Sequence, residues 1–525
     1  MHTEELNSKL SQFFLFKIHG RRFLIAAGVG VLLVGVAGWF WPPALWAFVM
    51  LAPIVLIGLW DLYFSSNTIL RNFPFFGHFR YLFLRISPEI HQYFVENNTE
   101  GKPFSKIQRN MVNRRADQRL ETHPFGTEED VYHGNYEWLP HSIYPRAKKE
   151  TAPRIRIGGP ACRQPYEAAL LNISAMSYGS LSASAVRALN VGAQAGNFFH
   201  NTGEGGLSPY HEAAGADLVW EIGSGYFGCR DEDGNFNDQM FRETAAKPVV
   251  KMIEIKLSQG AKPGHGGVLP APKVTPEIAR IRNVEPYTKV VSPAFHKTFS
   301  DAPGLLAFVE RLRDLSEGKP VGFKLCVGEK SEFEAICLAM IETGIRPDFI
   351  TVDGGEGGTG AAPPEFSDSV GMPLVEALVF VTDMLNGYDL KQEIRVIASG
   401  KIVSAFDMIK AMALGADLCN SARGMMLALG CIQALKCDTD ECPTGITTHN
   451  PHLTRGLVVA DKARRVTNFQ KETVQATLEL LAGMGLDSFT QLQRHHINKR
   501  IDFETMKSFA EIYPPVACGH YLPGQ

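Results

Sequence analysis

The sequence predicts an α/β fold: a (β/α)8 TIM barrel with an N-terminal transmembrane helical hairpin and a helical C-terminal tail. Three observations carry this expectation. Residues 23–60 contain no Asp, Glu, Lys, Arg or His. Between about Leu170 and Gly424, eight short apolar runs each end in a Gly/Ser/Asn/Asp cluster and pass into a helical pattern. Glycine makes up 49 of the 525 residues, above the usual ~7%, and it gathers at those run ends. The expected organisation is an N-terminal segment over 1–61 with spans at 23–41 and 44–60, and a juxtamembrane linker over 62–153. A barrel with a cysteine loop over 154–451 and a helical segment over 452–525 follow.

The hairpin comes first in the chain. As a helix, Phe23–Trp41 measures about 28 Å at ~1.5 Å per residue, close to a bilayer core of ~30 Å. The second run, Ala44–Trp60, is at the short end of the spanning range. Pro42-Pro43 disfavours one continuous helix. Trp39, Trp41, Trp46 and Trp60 fall near the run ends, as interfacial aromatics do. Lys9, Lys17, Arg21 and Arg22 precede the first run, and Arg71, Arg80 and Arg85 follow the second. The positive-inside rule then keeps both ends in the cytoplasm. The expected location is the cell membrane, with the barrel on its cytoplasmic face. A signal peptide fits poorly, because no A-x-A site closes the stretch. In the linker, Arg109-Asn110-Met111-Val112-Asn113-Arg114-Arg115 reads as a solvated surface or as attraction to anionic headgroups. The formal net charge of −3 excludes a general polyanion-binding surface, so no nucleic acid is expected.

The barrel strands are expected at the apolar starts of NISAMS (172–177), FFHNTGEGG (198–206), VWEIGSG (219–225), MIEIKLSQGAKPG (252–264), VGFKLCVG (321–328), FITVDGGEGG (349–358), RVIASGK (395–401) and DLCNSARG (417–424). The competing run KVVSP (289–293) reads as part of a long excursion after the fourth strand. Barrels of this kind place active sites at the C-terminal strand ends. Glycine there permits close backbone approach and positive φ. Repetition at successive strand ends points to a ligand rather than to turns alone. The last two ends, ASGK and NSARG, resemble the phosphate cradle of barrel flavoenzymes, which uses backbone N–H groups and a helix N-terminus. Gly355-Glu356-Gly357-Gly358 is a poor match to the dinucleotide fingerprint.

Nine cysteines are too few for a disulfide scaffold. Three of them form Cys431-x5-Cys437-x4-Cys442, followed by Pro443. The spacing is not that of a zinc ribbon, and no fourth cysteine is near enough for an ordinary four-thiolate cluster. A three-iron cluster with one thiolate per iron, zinc completed by His449, and three buried free thiols all remain open.

Taken together, MSYGSLS (176–182), NTGEGG (201–206), QGAKPGHGG (259–267), IARIR (278–282), VSPAFH (291–296), VDGGEGGTGAAP (352–363), ASGKI (398–402), LGAD (414–417) and GC-x5-C-x4-CPTGI (430–446) resemble the FMN-binding synthase domain of glutamate synthase, over roughly Arg154 to Pro451. The resemblance implies FMN and a [3Fe–4S] cluster on Cys431, Cys437 and Cys442. It implies reductive amination of a 2-oxo acid, of the kind that joins ammonia to 2-oxoglutarate and yields L-glutamate. It makes Glu204 and Lys262 the catalytic pair and Arg282 the binder of a substrate carboxylate, for which a guanidinium fork is suited. It places Met176, Ser177, Asn201, Lys324, Gly354, Gly355, Ser399, Gly400 and Gly424 around the flavin, with Lys324 on the N1 side. The plainer readings are a Glu204–Lys262 ion pair and a solvated Lys324.

This chain also departs from the family pattern. The usual KPGEGGQLP loop reads Lys262-Pro-Gly-His265-Gly-Gly-Val268-Leu-Pro270 here. Val268 cannot hydrogen-bond a substrate through its side chain. Where the family tends to have HHDI, this chain has His296-Lys297-Thr298-Phe299. The chain starts Met-His-Thr, and no cysteine precedes Cys162. Ammonia is therefore expected from elsewhere, with a separate amidotransferase subunit as one source. With no nicotinamide domain recognisable, the expected electron partner is ferredoxin or a quinone. A second expectation reverses the flow: oxidation of an amino acid or 2-hydroxy acid, with electrons passed to quinone.

Overall fold

The structure, a computed structural model, describes residues 18–119, 122 and 124–523. Lys9 and Lys17 lie outside the described residues. The chain divides into two compact units, 1–97 and 98–525.

In the first unit, helices Ile18–Phe40 and Ala47–Tyr63 flank a short turn of helix, Pro42–Trp46, that begins at the proline pair. They run antiparallel with glycine at the contacts. Gly58 faces the Phe23 ring, Gly30 faces Leu51 and Gly38 faces Leu45. A methyl group on Gly58 would sit 1.9 Å from that ring, so the helices approach this closely only because glycine is there. Gly20–Phe40 and, counted with its leading turn, Pro42–Tyr63 are long and apolar enough to cross a membrane, with mean hydropathies of 2.3 and 2.1. In the last turn of the second helix, the buried Asp61 carboxylate accepts from Phe75 N at 2.9 Å and pairs with His78 Nε2 at 2.9 Å. That fixes the start of helix Gly77–Ile90.

The second unit is built on a closed parallel barrel whose neighbours follow chain order. Its strands are β1 Leu171–Ile173, β2 His200–Asn201, β3 Leu218–Ile222, β4 Val250–Lys256, β5 Val321–Leu325, β6 Phe349–Asp353, β7 Arg395–Ser399 and β8 Leu418–Ser421. All eight overlap the expected runs, and three begin one or two residues earlier, at Leu171, Leu218 and Val250. The period of two sorts their side chains. Trp220, Ile253, Phe323, Ile350, Val396 and Cys419 face the helices in the main core. Phe199, Val219, Met252, Phe349, Ile397 and Leu418 form a separate inner cluster. It is closed below by Ile157, Tyr166 and Ala168 of the antiparallel pair Ile155–Ile157 and Tyr166–Ala168. One step up each strand, the interior turns polar. Asn201 Nδ2 donates to Glu254 Oε1 at 2.7 Å, Thr351 Oγ1 donates to Glu254 Oε2 at 2.5 Å, and Lys324 pairs with Glu221.

The excursion after β4 carries the antiparallel pair Val268–Leu269 and Val290–Val291, so the run at 289–293 is outside the barrel as expected. At the C-terminus, helix Val459–Gly483 packs along helices Ala183–Gly196 and Lys106–Ala116. Beyond it the chain is not mainly helical. Asn498–Arg500 pairs with both Met506–Ser508 and Glu137–Trp138. Residues 98–153 therefore belong to the barrel unit rather than to a linker. The basic stretch is corrected with it: Arg109 is buried and donates to Phe104 O at 2.8 Å, and Arg115 is buried and donates to Thr473 Oγ1 at 3.2 Å. These arginines lie on the helix face that meets the rest of the unit, so they neither form a solvated face nor meet headgroups.

Candidate functional site

A cavity of about 330 Å³ opens at the C-terminal ends of the strands. Met176, Ser177, Glu204, Lys262, Lys324, Ser399, Gly400, Gly424, Cys431, Cys437 and Cys442 all line it. Residues more than 250 positions apart in sequence thus meet on one surface because each lies at or beyond the C-terminal end of a barrel strand. Asn201, Arg282, Gly354 and Gly355 were expected there and are not on the wall. Asn201 turns inward to Glu254, and its Oδ1 accepts from Gly203 N at 3.0 Å, holding the turn beneath the cavity. Gly354 N and Gly355 N donate to Ser399 O and Met372 O, both at 2.8 Å. Those bonds leave Gly357 and Gly358 to line the cavity instead. Arg282 is buried behind the wall. Its Nη2 donates to Tyr178 O at 2.9 Å, and its guanidinium lies 5.1 Å from the Phe227 ring centre. Burial pushes Arg282 down to about 10, against the pull of Glu204.

The Glu204–Lys262 ion pair of the plainer reading is not formed. Glu204 Oε1 accepts from Lys256 Nζ at 2.7 Å, while Lys262 Nζ donates to Ala361 O at 3.0 Å. Burial works against the Glu204 carboxylate, but Lys256, Arg282 and Lys262 outweigh it and hold the carboxyl below its usual range. The carboxylate is wedged between two glycines: a methyl on Gly223 would sit 2.8 Å from its Oε2, and one on Gly267 2.5 Å from its Oε1. Lys262 is 2% exposed. Burial pushes its ammonium down to about 8, with Glu204 opposing and Lys256 adding. Lys256 was missed. The available signal was its position: it is the last residue of β4 and shares inward parity with Glu254.

Below them, Lys324 is not solvated. It is 4% exposed, pairs with Glu221 and lies 4.0 Å from Glu254 Oε1. Burial disfavours its charge, but Glu221, Glu254 and Asp353 outweigh burial and hold the ammonium above its usual range. Burial also pushes Glu254 up; Lys324 opposes this and Glu221 adds to it.

The excursion after β4 supplies another wall through Val268, Leu269 and Pro270. His265 is off the wall, with its ring 5.4 Å from that of Phe366. His296 Nε2 bonds Lys256 O at 2.9 Å and its ring stacks on Phe299, so it braces the end of β4. Lys273, also missed from the sequence, is 2% exposed and ties the excursion to the cysteine loop. Its Nζ donates to Cys437 O at 2.7 Å and Thr447 O at 2.6 Å.

The three cysteines are free and line the same side of the cavity. Burial pushes Cys431 up to about 11. For Cys442 burial acts the same way, but hydrogen bonds from Thr444 and Thr447 outweigh it and lower the thiol. Among the described residues, no three His, Cys, Asp or Glu side chains gather to hold a single metal ion. The zinc alternative is not formed among the described residues: His449 does not line the cavity with the three thiols, and its Nε2 bonds Gly179 O at 2.9 Å.

The family model described as a conserved region in glutamate synthase matches residues 155–487. The glutamate synthase large subunit-like protein YerD of Bacillus subtilis is 37% identical over 474 residues, covering 82% of this chain and 90% of that protein. The archaeal glutamate synthase [NADPH] of Methanocaldococcus jannaschii is 34% identical over 349 residues, covering 66% of this chain and 63% of its own length. Among solved structures, mandelate oxidase with (S)-2-phenylpropionate aligns over 76% of this chain and 98% of its own, at 16% identity and a TM-score of 0.42. That likeness is too slight to bear on the site.

Proposed function

Because the chain belongs to the glutamate synthase family, we propose that it is an FMN- and iron–sulfur-dependent oxidoreductase that reductively aminates a 2-oxo acid. The observation that carries this reading is the convergence of Lys262 and the Glu204–Lys256 pair on a cavity that also exposes a glycine cradle and three cysteines. The overall change joins a 2-oxo acid, ammonia, two electrons and two protons into an amino acid and water.

The residues present fit both cofactors. Ser399–Gly400 and Arg423–Gly424, at the ends of β7 and β8, would hold the FMN phosphate, as helix N-termini and glycine backbone do. Asn420, on the same wall, keeps a buried Oδ1 without a partner among the described residues, an acceptor suited to a flavin N–H. When bound, FMN supplies hydride transfer, and a [3Fe–4S] cluster supplies single electrons. Cys431, Cys437 and Cys442 would hold that cluster. One thiolate per iron does not require the three sulfurs to meet at a point.

The chain's own side chains do the rest. Lys262 binds the substrate carboxylate or polarises its carbonyl oxygen. Glu204, kept ionised by Lys256, accepts hydrogen bonds from ammonia and moves a proton. Val268 replaces a hydrogen-bonding position by an apolar one, which favours a side chain less polar than that of 2-oxoglutarate. Ammonia comes from a separate amidotransferase subunit or from solution, and electrons from ferredoxin or a quinone. The two apolar helices anchor the barrel at the cytoplasmic face of the membrane. Val268 together with that hairpin favours one second reading: an amino-acid or 2-hydroxy-acid dehydrogenase that reduces quinone.

The test is the purified full-length protein. It is expected to show a flavin spectrum and the EPR signal of an oxidised three-iron cluster. Candidate 2-oxo acids with ammonia are then screened on the reduced flavin, and amino and 2-hydroxy acids on the oxidised flavin, by absorbance. Protein holding neither cofactor after anaerobic reconstitution overturns the proposal; quinone reduction driven by an amino or 2-hydroxy acid selects the second reading.

A further inference from the structure

Helix Gly77–Ile90 follows the second apolar helix, and past Gly77 none of its residues is buried. Its large apolar residues are nevertheless not scattered. Phe79, Leu82, Phe83, Ile86 and Ile90 recur at i, i+3, i+4, i+7 and i+11, which places them within an arc of about 100°. Each is exposed, Phe83 to 58%. Arg80 and Arg85 lie about 60° beyond the two edges of that arc, from the ~100° per residue of an α-helix. Leu84 is the one large aliphatic residue outside it.

The rotation of the helix is set by bonds on its other side. Tyr81 OH accepts from Asn67 Nδ2 at 2.7 Å, and His78 Nε2 pairs with the buried Asp61 at 2.9 Å. Both partners lie at or just after the end of the apolar helix Ala47–Tyr63. The polar side is therefore held to the end of that helix and the apolar arc is turned outward. An apolar arc flanked by two arginines is the pattern of a helix lying in a membrane interface, with the hydrocarbon face sunk and the cationic side chains reaching back to lipid phosphates.

We propose that Gly77–Ile90 is an interfacial helix that lies in the surface of the bilayer crossed by the hairpin, its Phe79/Leu82/Phe83/Ile86/Ile90 face in contact with lipid. The occupant of the face is the lipid surface rather than a protein. The arc continues from the end of a membrane-length apolar helix in the same compact unit, and two of the three charged residues at its edges, Arg80 and Arg85, are positive, which favours anionic headgroups, while Glu89 lies about 20° beyond one edge. This rests on the membrane reading given above. It adds that the anchor fixes one segment parallel to the bilayer.

The experiment uses the full-length protein in vesicles of phosphatidylcholine and phosphatidylglycerol. Nine native cysteines make thiol labels unsuitable, so spin labels are attached through an encoded ketone amino acid at Leu32, Phe79, Phe83, Ile86 or Ser87, one at a time. Collision rates with oxygen, which concentrates in lipid, and with a water-soluble nickel chelate are compared. The expected result is a high oxygen-to-nickel ratio at Phe79, Phe83 and Ile86 and a reversed ratio at Ser87. Equal ratios at Phe83 and Ser87 overturn the proposal. So does spin–spin broadening at Phe83, which marks a second copy, or suppression of both collision rates there, which marks a protein surface. The Leu32 label, midway along the first helix, separates the two failures. If it is in contact with nickel, the membrane reading itself fails; if it sits deep in lipid while Phe83 does not, only the interfacial helix is refuted.

Discussion

Replacing Lys324 by methionine removes the cation from the polar layer inside the barrel. Lys324 pairs with Glu221 and lies 4.0 Å from Glu254 Oε1, and the three side chains are 5%, 2% and 1% exposed. Removing one member of a buried ion pair costs about 3–5 kcal/mol, because the charge left behind has neither partner nor water. The carboxylates have one escape, which is to take up a proton. Glu254 already leans that way, since burial and Glu221 raise it and Lys324 is what restrains the rise. A carboxyl whose folded pKa is raised holds a proton that the unfolded chain has released. Its contribution is complete below its ordinary value near 4.5 and is lost as pH climbs through the folded value. The Lys324→Met deficit is therefore smaller near pH 5 and grows toward pH 8.

The assay is thermal unfolding of cofactor-free protein in detergent, followed by near-UV circular dichroism at pH 5, 6.5 and 8. For domains of 150–250 residues, 1 kcal/mol shifts Tm by roughly 2–4 °C, and less for larger ones. At about 2.1 cal/mol/K per residue over the unit 98–525, the 3–5 kcal/mol above lowers Tm at pH 8 by about 3–6 °C. Adding Glu221→Gln to Lys324→Met recovers part of that loss, as expected for coupled neighbours. Equal Tm values for Lys324→Met and the parent at pH 8 refute the reasoning. So does a deficit independent of pH, or a double variant no more stable than the single one.

Other predictions concern the groups around the cavity. Lys262, pushed down to about 8 by burial, loses its proton as pH rises through that value, so kcat/KM for the accepted 2-oxo acid falls above about pH 8. Lys262→Arg moves that limb upward, and Lys262→Ala abolishes turnover while flavin absorbance is retained. Gly260→Ala places a methyl 1.8 Å from Gly354 O; with backbone on both sides, the overpacking costs about 1–3 kcal/mol, readable as a lowered Tm. Lys273→Met frees the carbonyls of Cys437 and Thr447, and faster amide exchange over 431–447 together with less retained iron per chain is expected.

The barrel was legible because its two signals reinforce each other. A buried parallel strand is a short apolar run, and a strand end that meets a ligand needs glycine or a small polar residue, so each run and its punctuation mark one βα unit. KVVSP has the first signal and lies between helices Pro276–Arg282 and Ala302–Leu315, yet it pairs antiparallel with Val268–Leu269 outside the barrel, which neither signal foretells. The site was legible where a residue ends or closely follows a strand, as with Ser399 and Glu204. It was not legible where backbone hydrogen bonds choose between neighbours: nothing in GGEGG shows that Gly354 and Gly355 are spent on Ser399 and Met372 while Gly357 and Gly358 face the cavity. Lys256 was hidden for another reason. A lone lysine after MIEI matches the solvated end of a strand, and only parity with Glu254 argues otherwise. Arg109 and Arg115 failed in the opposite direction, since a run of arginines reads as surface until the helix that packs on it is known.

The excursion after β4 joins the two halves of the proposed chemistry. One insertion carries Lys262, the apolar wall at Val268 and the Lys273 ammonium bonded to the cysteine loop. The barrel strands supply the fixed parts, Glu204 with Lys256 and the Lys324 layer beneath. Substrate shape is therefore set on an element that also braces the loop expected to deliver electrons. Lys262, bonded to Ala361 O, and Lys273, bonded to the carbonyls of Cys437 and Thr447, sit eleven residues apart on this one insertion. This placement gives a physical reason for the departures from the family loop, His265 and Val268, to fall in one short stretch. The stretch bears on substrate choice, and its far end at Lys273 keeps the bonds that the cysteine loop needs.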